Sequence, residues 1–118
     1  MGLMKLFSLL VLASVALMAD VTGKWTASFE TQIGTQNYTY DFKQTGEKLT
    51  GHVKSNLGEG DITQGTVKGD EITFVENLKF QDQDIQITYK GKISGDEIKF
   101  TRQVGEIATE ELVAKRVK

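Results

Sequence analysis

From Gly23 onward, apolar side chains recur at every second position in short runs, and the runs are separated by Gly, Asp, Asn and Gln. A period of two is that of a strand with one face buried. The pattern predicts eight strands over 23–31, 37–44, 48–55, 61–68, 71–80, 84–94, 97–103 and 109–117. The segment 106–116 has helical composition, but it also fits a strand in which Leu112, Ala114 and Arg116 share a face. The expectation is therefore an all-β domain.

The connections are too short for crossovers, so each strand should pair antiparallel with the next. A recurring turn appears in Thr45-Gly46-Glu47-Lys48, Lys68-Gly69-Asp70-Glu71 and Ser94-Gly95-Asp96-Glu97. In an up-and-down meander these three turns share one end with both termini. The connections near 34–36, 56–60, 81–83 and 105–108 lie at the other end and read as looser, giving one tight rim and one open rim. Eight such strands either close into a barrel, which removes both edges, or form a two-layer sandwich. The barrel is the expected fold.

Before these strands, Met1 to Lys5 is a short basic start followed by an apolar run of 14 residues, Leu6 to Ala19, that ends in small side chains. This is the pattern of a signal peptide, and it falls short of the ~20 apolar residues that span a bilayer. The expected organisation is a signal peptide over 1–19 and a single barrel domain over 20–118. Cleavage after Ala19 places Leu17 at the −3 position; cleavage after Ala16 places Ser14 there. No Cys follows the run to carry a lipid, and Leu6 breaks the N-myristoylation pattern. The expected product is a secreted or periplasmic protein with no membrane association after cleavage.

Composition narrows the chemistry. The chain has 118 residues, no Cys and one His, so no disulfide framework, thiol nucleophile, Cys-based metal site or multi-histidine centre is available. No cofactor is expected. Loss of Lys5 leaves 13 basic against 16 acidic residues, interspersed along the chain, which is not the footprint that a phosphate backbone selects. Nucleic acid is not an expected partner, and oligomeric state is not legible.

Gly23-Lys24-Trp25 opens the first strand and Lys115-Arg116 closes the last. A G-x-W start with an Arg on the final strand resembles the calycin barrels, the lipocalins and avidins, in which the Arg packs over the Trp at the closed end. The physical sense stands independently: both residues fall at the tight rim, where a guanidinium over an indole contributes about 0.5–2 kcal/mol. Trp25 and Arg116 are expected to be structural. The chain also looks like a group of small secreted bacterial domains of unknown function, through Leu49-Thr50-Gly51, the stretches 65–74 and 89–100, and Ala114-Lys115-Arg116. That group implies a fold and no activity. The chain is shorter than a lipocalin, has one Trp where avidins use several, and has no room for the two helices of fatty-acid-binding proteins, so none of those ligands transfers.

With Trp25, Ala27 and Phe29 inward, the same face runs through Tyr38, Tyr40 and Phe42 and the apolar positions of the later strands. Ile62 and Val67 have opposite parity, which predicts a bulge near Gly65. The expected registers put Phe42 opposite Leu49, Phe100 opposite Leu112, and Gly91 between Phe74 and Phe100. They also align Glu76 with Tyr89, Tyr89 with Arg102, and Arg102 with Glu110, forming one inward polar row nearer the open rim. As an internal network the row satisfies itself. As a recognition site, Arg102 would bind an anionic or carbonyl group while Tyr38, Tyr40 and Tyr89 supply flat amphipathic contacts. The candidate ligand-binding residues are therefore Arg102, Glu76, Tyr89, Glu110, Tyr38 and Tyr40, with no catalytic or metal-binding residue.

The leading expectation is a small-molecule-binding module, taking a small amphipathic or anionic ligand. The alternative is a structural, protein-binding or glycan-binding domain with a filled interior. A hydrolase using Glu76, Glu110, Tyr89 and Arg102 ranks last, because Arg102 is expected to hold both carboxylates ionised and no nucleophile is evident. His52 is expected to point outward without a partner.

Overall fold

The computed structural model describes residues 20–118; the predicted signal peptide lies outside the described residues. The described chain is all-β: β1 (Gly23–Thr31), β2 (Gly34–Thr45), β3 (Lys48–Ser55), β4 (Gly58–Lys68), β5 (Glu71–Phe80), β6 (Gln83–Ser94), β7 (Glu97–Val104) and β8 (Ala108–Arg116). Each strand pairs antiparallel with the next and β8 pairs with β1, closing an up-and-down barrel. The alternation in the sequence becomes an alternation of buried and exposed positions, as in β1, where Trp25, Ala27 and Phe29 are buried and their neighbours are not.

The recurring turns are two-residue hairpins that pair Thr45 with Lys48, Lys68 with Glu71 and Ser94 with Glu97. Their glycines, Gly46, Gly69 and Gly95, take φ of 63°, 61° and 61°, the left-handed conformation that a primed turn asks of its first central residue. The opposite rim is tighter than the sequence suggests. Its turns pair Thr31 with Gly34, Ser55 with Gly58 and Phe80 with Gln83, and only the Val104–Ala108 turn holds three residues. The strands simply run further than their apolar residues do, through polar positions such as Thr35 and Gln36.

Two of the expected registers are corrected. Phe42 faces Gly51 and Leu49 faces Gln44, because a two-residue turn at Gly46-Glu47 fixes the pairing by its length. Glu76 faces Ile87 and Tyr89 faces Phe74, because Gln81 and Asp82 form a two-residue turn with φ of 52° and 64°. That turn lacks the glycine or asparagine that usually marks it. Gly91 faces Ile72 and Phe100, with Phe74 one step along β5, and Phe100 faces Leu112 as expected. The bulge in β4 is present: the register shifts between Thr63 and Thr66, Gln64 takes a φ of 54°, and Ile62 and Val67 are both buried.

Aromatic rings fill the lower and middle barrel. Phe74 stacks on Tyr89 at 4.3 Å, and Phe100 meets both edge-on at 5.6 and 5.3 Å. Gly91 makes room for this group, since a Cβ there would stand 2.5 Å from the Phe100 ring.

Candidate functional site

At the tight rim, Arg116 lies over Trp25 with 4.5 Å from guanidinium carbon to ring centroid. The same guanidinium donates to the carbonyls of Asp20 and Thr22 at 2.9 and 3.2 Å and to Asp96 Oδ1 at 3.0 Å. Trp25 Nε1 donates to the Val21 carbonyl at 2.9 Å, and Val21 N donates to Gln44 Oε1 at 3.0 Å. Residues 20–22 are thereby folded across the barrel's lower end with Val21 fully buried.

The polar row forms a continuous chain of hydrogen bonds. Arg102 Nη1 donates to Glu110 Oε1 and Nη2 to the Tyr38 hydroxyl, both at 2.8 Å. Tyr38 donates to Glu76 Oε2 at 2.9 Å, and Tyr89 donates to Glu76 Oε1 at 2.7 Å. The Tyr89 proton is thus committed to Glu76, so Tyr40 is the donor in the 3.0 Å contact between the Tyr40 and Tyr89 hydroxyls. Arg102 also packs against the rings of Tyr38 and Phe29 at 4.9 and 5.1 Å. The four residues of the predicted row, Glu76, Tyr89, Arg102 and Glu110, are joined here together with Tyr38 and Tyr40, through phenol reach as much as through register.

Burial sets the electrostatics. It pushes the Glu76 carboxyl above the ordinary glutamate value, against the Tyr89 hydrogen bond, the Arg102 charge and the Tyr38 hydrogen bond, all of which lower it. This corrects the expectation that Arg102 holds Glu76 ionised with no raised carboxyl in the row. Burial also raises Tyr38, Tyr40 and Tyr89, which remain neutral phenols. Burial opposes the charge on Arg102, but the Glu76 carboxyl beside it favours that charge and Arg102 stays protonated.

Above the row the barrel opens. A cavity of about 170 Å³ is walled by Leu78, Phe80, Ile85, Ile87 and Val104, reaches Arg102 and Glu110, and is flanked at its outer edge by the exposed Ile33 and Ile107. A dry engineered cavity of about 150 Å³ accommodates benzene, so this one is of ligand size. Gln36 also lines it. Gln36 and Arg102 are 2% and 3% exposed, yet Gln36 Oε1 and Arg102 Nε have no hydrogen-bond partner among the described residues. A buried polar atom left unpaired costs about 1–3 kcal/mol, so these two atoms call for a partner. Glu76, Tyr38, Tyr40 and Tyr89 are not among the cavity's lining residues.

Gln36 was missed by sequence reasoning because the second strand was expected to begin at Asn37. Its signal was parity: it lies two residues before Tyr38 and four before Tyr40, and it pairs with the inward Phe29. His52, on the outer face, does have partners, since its Nδ1 meets Asp61 at 3.0 Å and its Nε2 meets Glu59 at 2.9 Å. These two hydrogen bonds raise its pKa.

The closed eight-stranded antiparallel barrel is compatible with a calycin-like fold. No family model, curated protein or solved structure matches the chain.

Proposed function

We propose that the mature chain is an exported binding module that takes a small amphipathic molecule in the open mouth of the barrel. The observation that carries this reading is the cavity of about 170 Å³ at whose polar end Gln36 and Arg102 each keep one buried atom without a partner. A structural domain with a filled interior has no need of apolar walls around two unpaired polar groups. The aromatic packing of the lower barrel serves instead as a rigid floor. A hydrolytic role is disfavoured because Glu110 lines the cavity while Glu76 does not, so two carboxylates are not presented to one substrate.

Export follows from the apolar run of residues 6–19. Cleavage after either Ala16 or Ala19 keeps Asp20 and Val21, whose contacts complete the closed end of the barrel.

Native mass spectrometry of the protein purified from its own host tests the binding reading. A retained mass is expected on the unmutated protein and should be lost in Val104→Trp, which fills the mouth. Absence of any adduct, or an adduct that survives Val104→Trp in a folded protein, would overturn it.

A further inference from the structure

The polar end of the mouth also limits the charge of what it binds. Arg102 and Glu110 are the charged residues that line the cavity, and they are paired with each other at 2.8 Å. Glu76 lies behind them, 4.0 Å from Arg102 Nη2. One guanidinium thus already faces two carboxyl groups. Among the described residues, the buried side-chain atoms left without any hydrogen-bond partner are Arg102 Nε and Gln36 Oε1.

We infer that the mouth recognises an uncharged head group able both to donate and to accept one hydrogen bond, an alcohol or primary amide on an apolar body. This inference rests on the reading of the mouth as a binding site. A hydroxyl has both capacities, donating to an acceptor such as Gln36 Oε1 and accepting from a donor such as Arg102 Nε. A carboxylate only accepts. It offers nothing to Gln36 Oε1, and it places a third acidic group around one buried guanidinium, displacing Glu110 or repelling it. An ammonium group donates to Gln36 but meets the Arg102 charge. The apolar walls take the body of the ligand, and Ile33 and Ile107 extend that surface beyond the rim.

The test is a matched series with one tail, octanol, octanamide, octanoate and octylammonium, titrated into the mature protein at neutral pH by calorimetry. Amide NMR follows the Gln36 side chain. Octanol and octanamide should bind at least about tenfold more tightly than either ion, the scale of one buried hydrogen bond, and should shift the Gln36 side-chain resonances. Gln36→Leu, which replaces an unpaired amide by an apolar group of similar size, should reduce the preference for octanol and octanamide over octanoate. Octanoate binding as tightly as octanol overturns the uncharged head group while leaving the mouth as a site. So does an unchanged preference in folded Gln36→Leu, or failure of all four probes on a protein that still carries an adduct from its host. Failure of all four on a protein that carries no adduct overturns the binding reading itself.

Discussion

Tyr89 donates a 2.7 Å hydrogen bond to Glu76 although the two residues are not opposite each other: Tyr89 faces Phe74 across β5 and β6, and Glu76 faces Ile87. The phenol bridges one diagonal step of the sheet, a reach that shorter side chains do not have. Glu76 is consequently held by two phenols and screened from solvent, and its carboxyl is raised by burial.

That raised value gives the first prediction. A carboxyl that binds its proton more tightly in the folded state contributes stability that is fully present below its unfolded pKa, near 4.5. The contribution is lost as pH rises through the folded value. Glu76→Gln carries no such proton, so its stability relative to the unmutated protein should improve with rising pH above that point. Denaturant melts at several pH values check this, and a difference that stays flat would refute it.

Arg102→Met should lower stability by about 3–5 kcal/mol at neutral pH, because it leaves Glu76 and Glu110 without their cation. Without that cation the buried Glu76 carboxyl should titrate still higher, so part of the loss should be recovered as pH falls through its raised value. Urea unfolding at neutral and mildly acid pH measures both parts.

Gly91→Ala should destabilise by about 1–3 kcal/mol, since a methyl group there would press on the Phe100 ring and on Ile98 Cγ2. A thermal melt reads the effect. An unchanged melting temperature would mean that the aromatic group has slack the structure does not display.

Arg116→Ala should cost about 1–3 kcal/mol through lost stacking on Trp25 and lost cover over the lower end, with binding at the mouth unaffected. Equilibrium unfolding and the octanol titration, run on the same variant, separate the two effects. Lost binding at unchanged stability would move the site to the tight rim.

The barrel was legible because its inward positions alternate so strictly that eight strands and their faces could be assigned, including the β4 bulge implied by Ile62 and Val67. The turns carried the registers, and the reading failed at two of them: the Gly46-Glu47 turn was recognised but the pairing above it was placed two residues off, and the Gln81-Asp82 turn was not recognised. Gln81 and Asp82 adopt left-handed φ without a glycine, so the link from β5 to β6 looked longer than it is. The inward placement of Glu76, Tyr89, Arg102 and Glu110, and of Tyr38 and Tyr40 beside them, was legible from parity alone. The division of labour among them was not legible, because it depends on which atoms find partners. Tyr38, Tyr40, Tyr89 and Glu76 satisfy one another, while Arg102 keeps a free N–H and Gln36, a polar residue in an apolar-poor stretch, supplies the matching acceptor.

β1 and β8 pair only through Trp25 with Arg116 and Thr26 with Lys115, whereas β1 and β2 pair over nine positions. The seven hairpins of the meander form between chain neighbours, but this last joint links residues as far apart as Thr22 and Arg116, 94 positions along the chain. Its loop-closure cost is offset only once the ribbon has formed, so ring closure is expected to complete folding after the rate-limiting step. Contacts made that late are absent from the transition state, and weakening them acts chiefly on the unfolding rate. Arg116 is thus the clasp of a ribbon, and its strength sets how long the closed ring lasts.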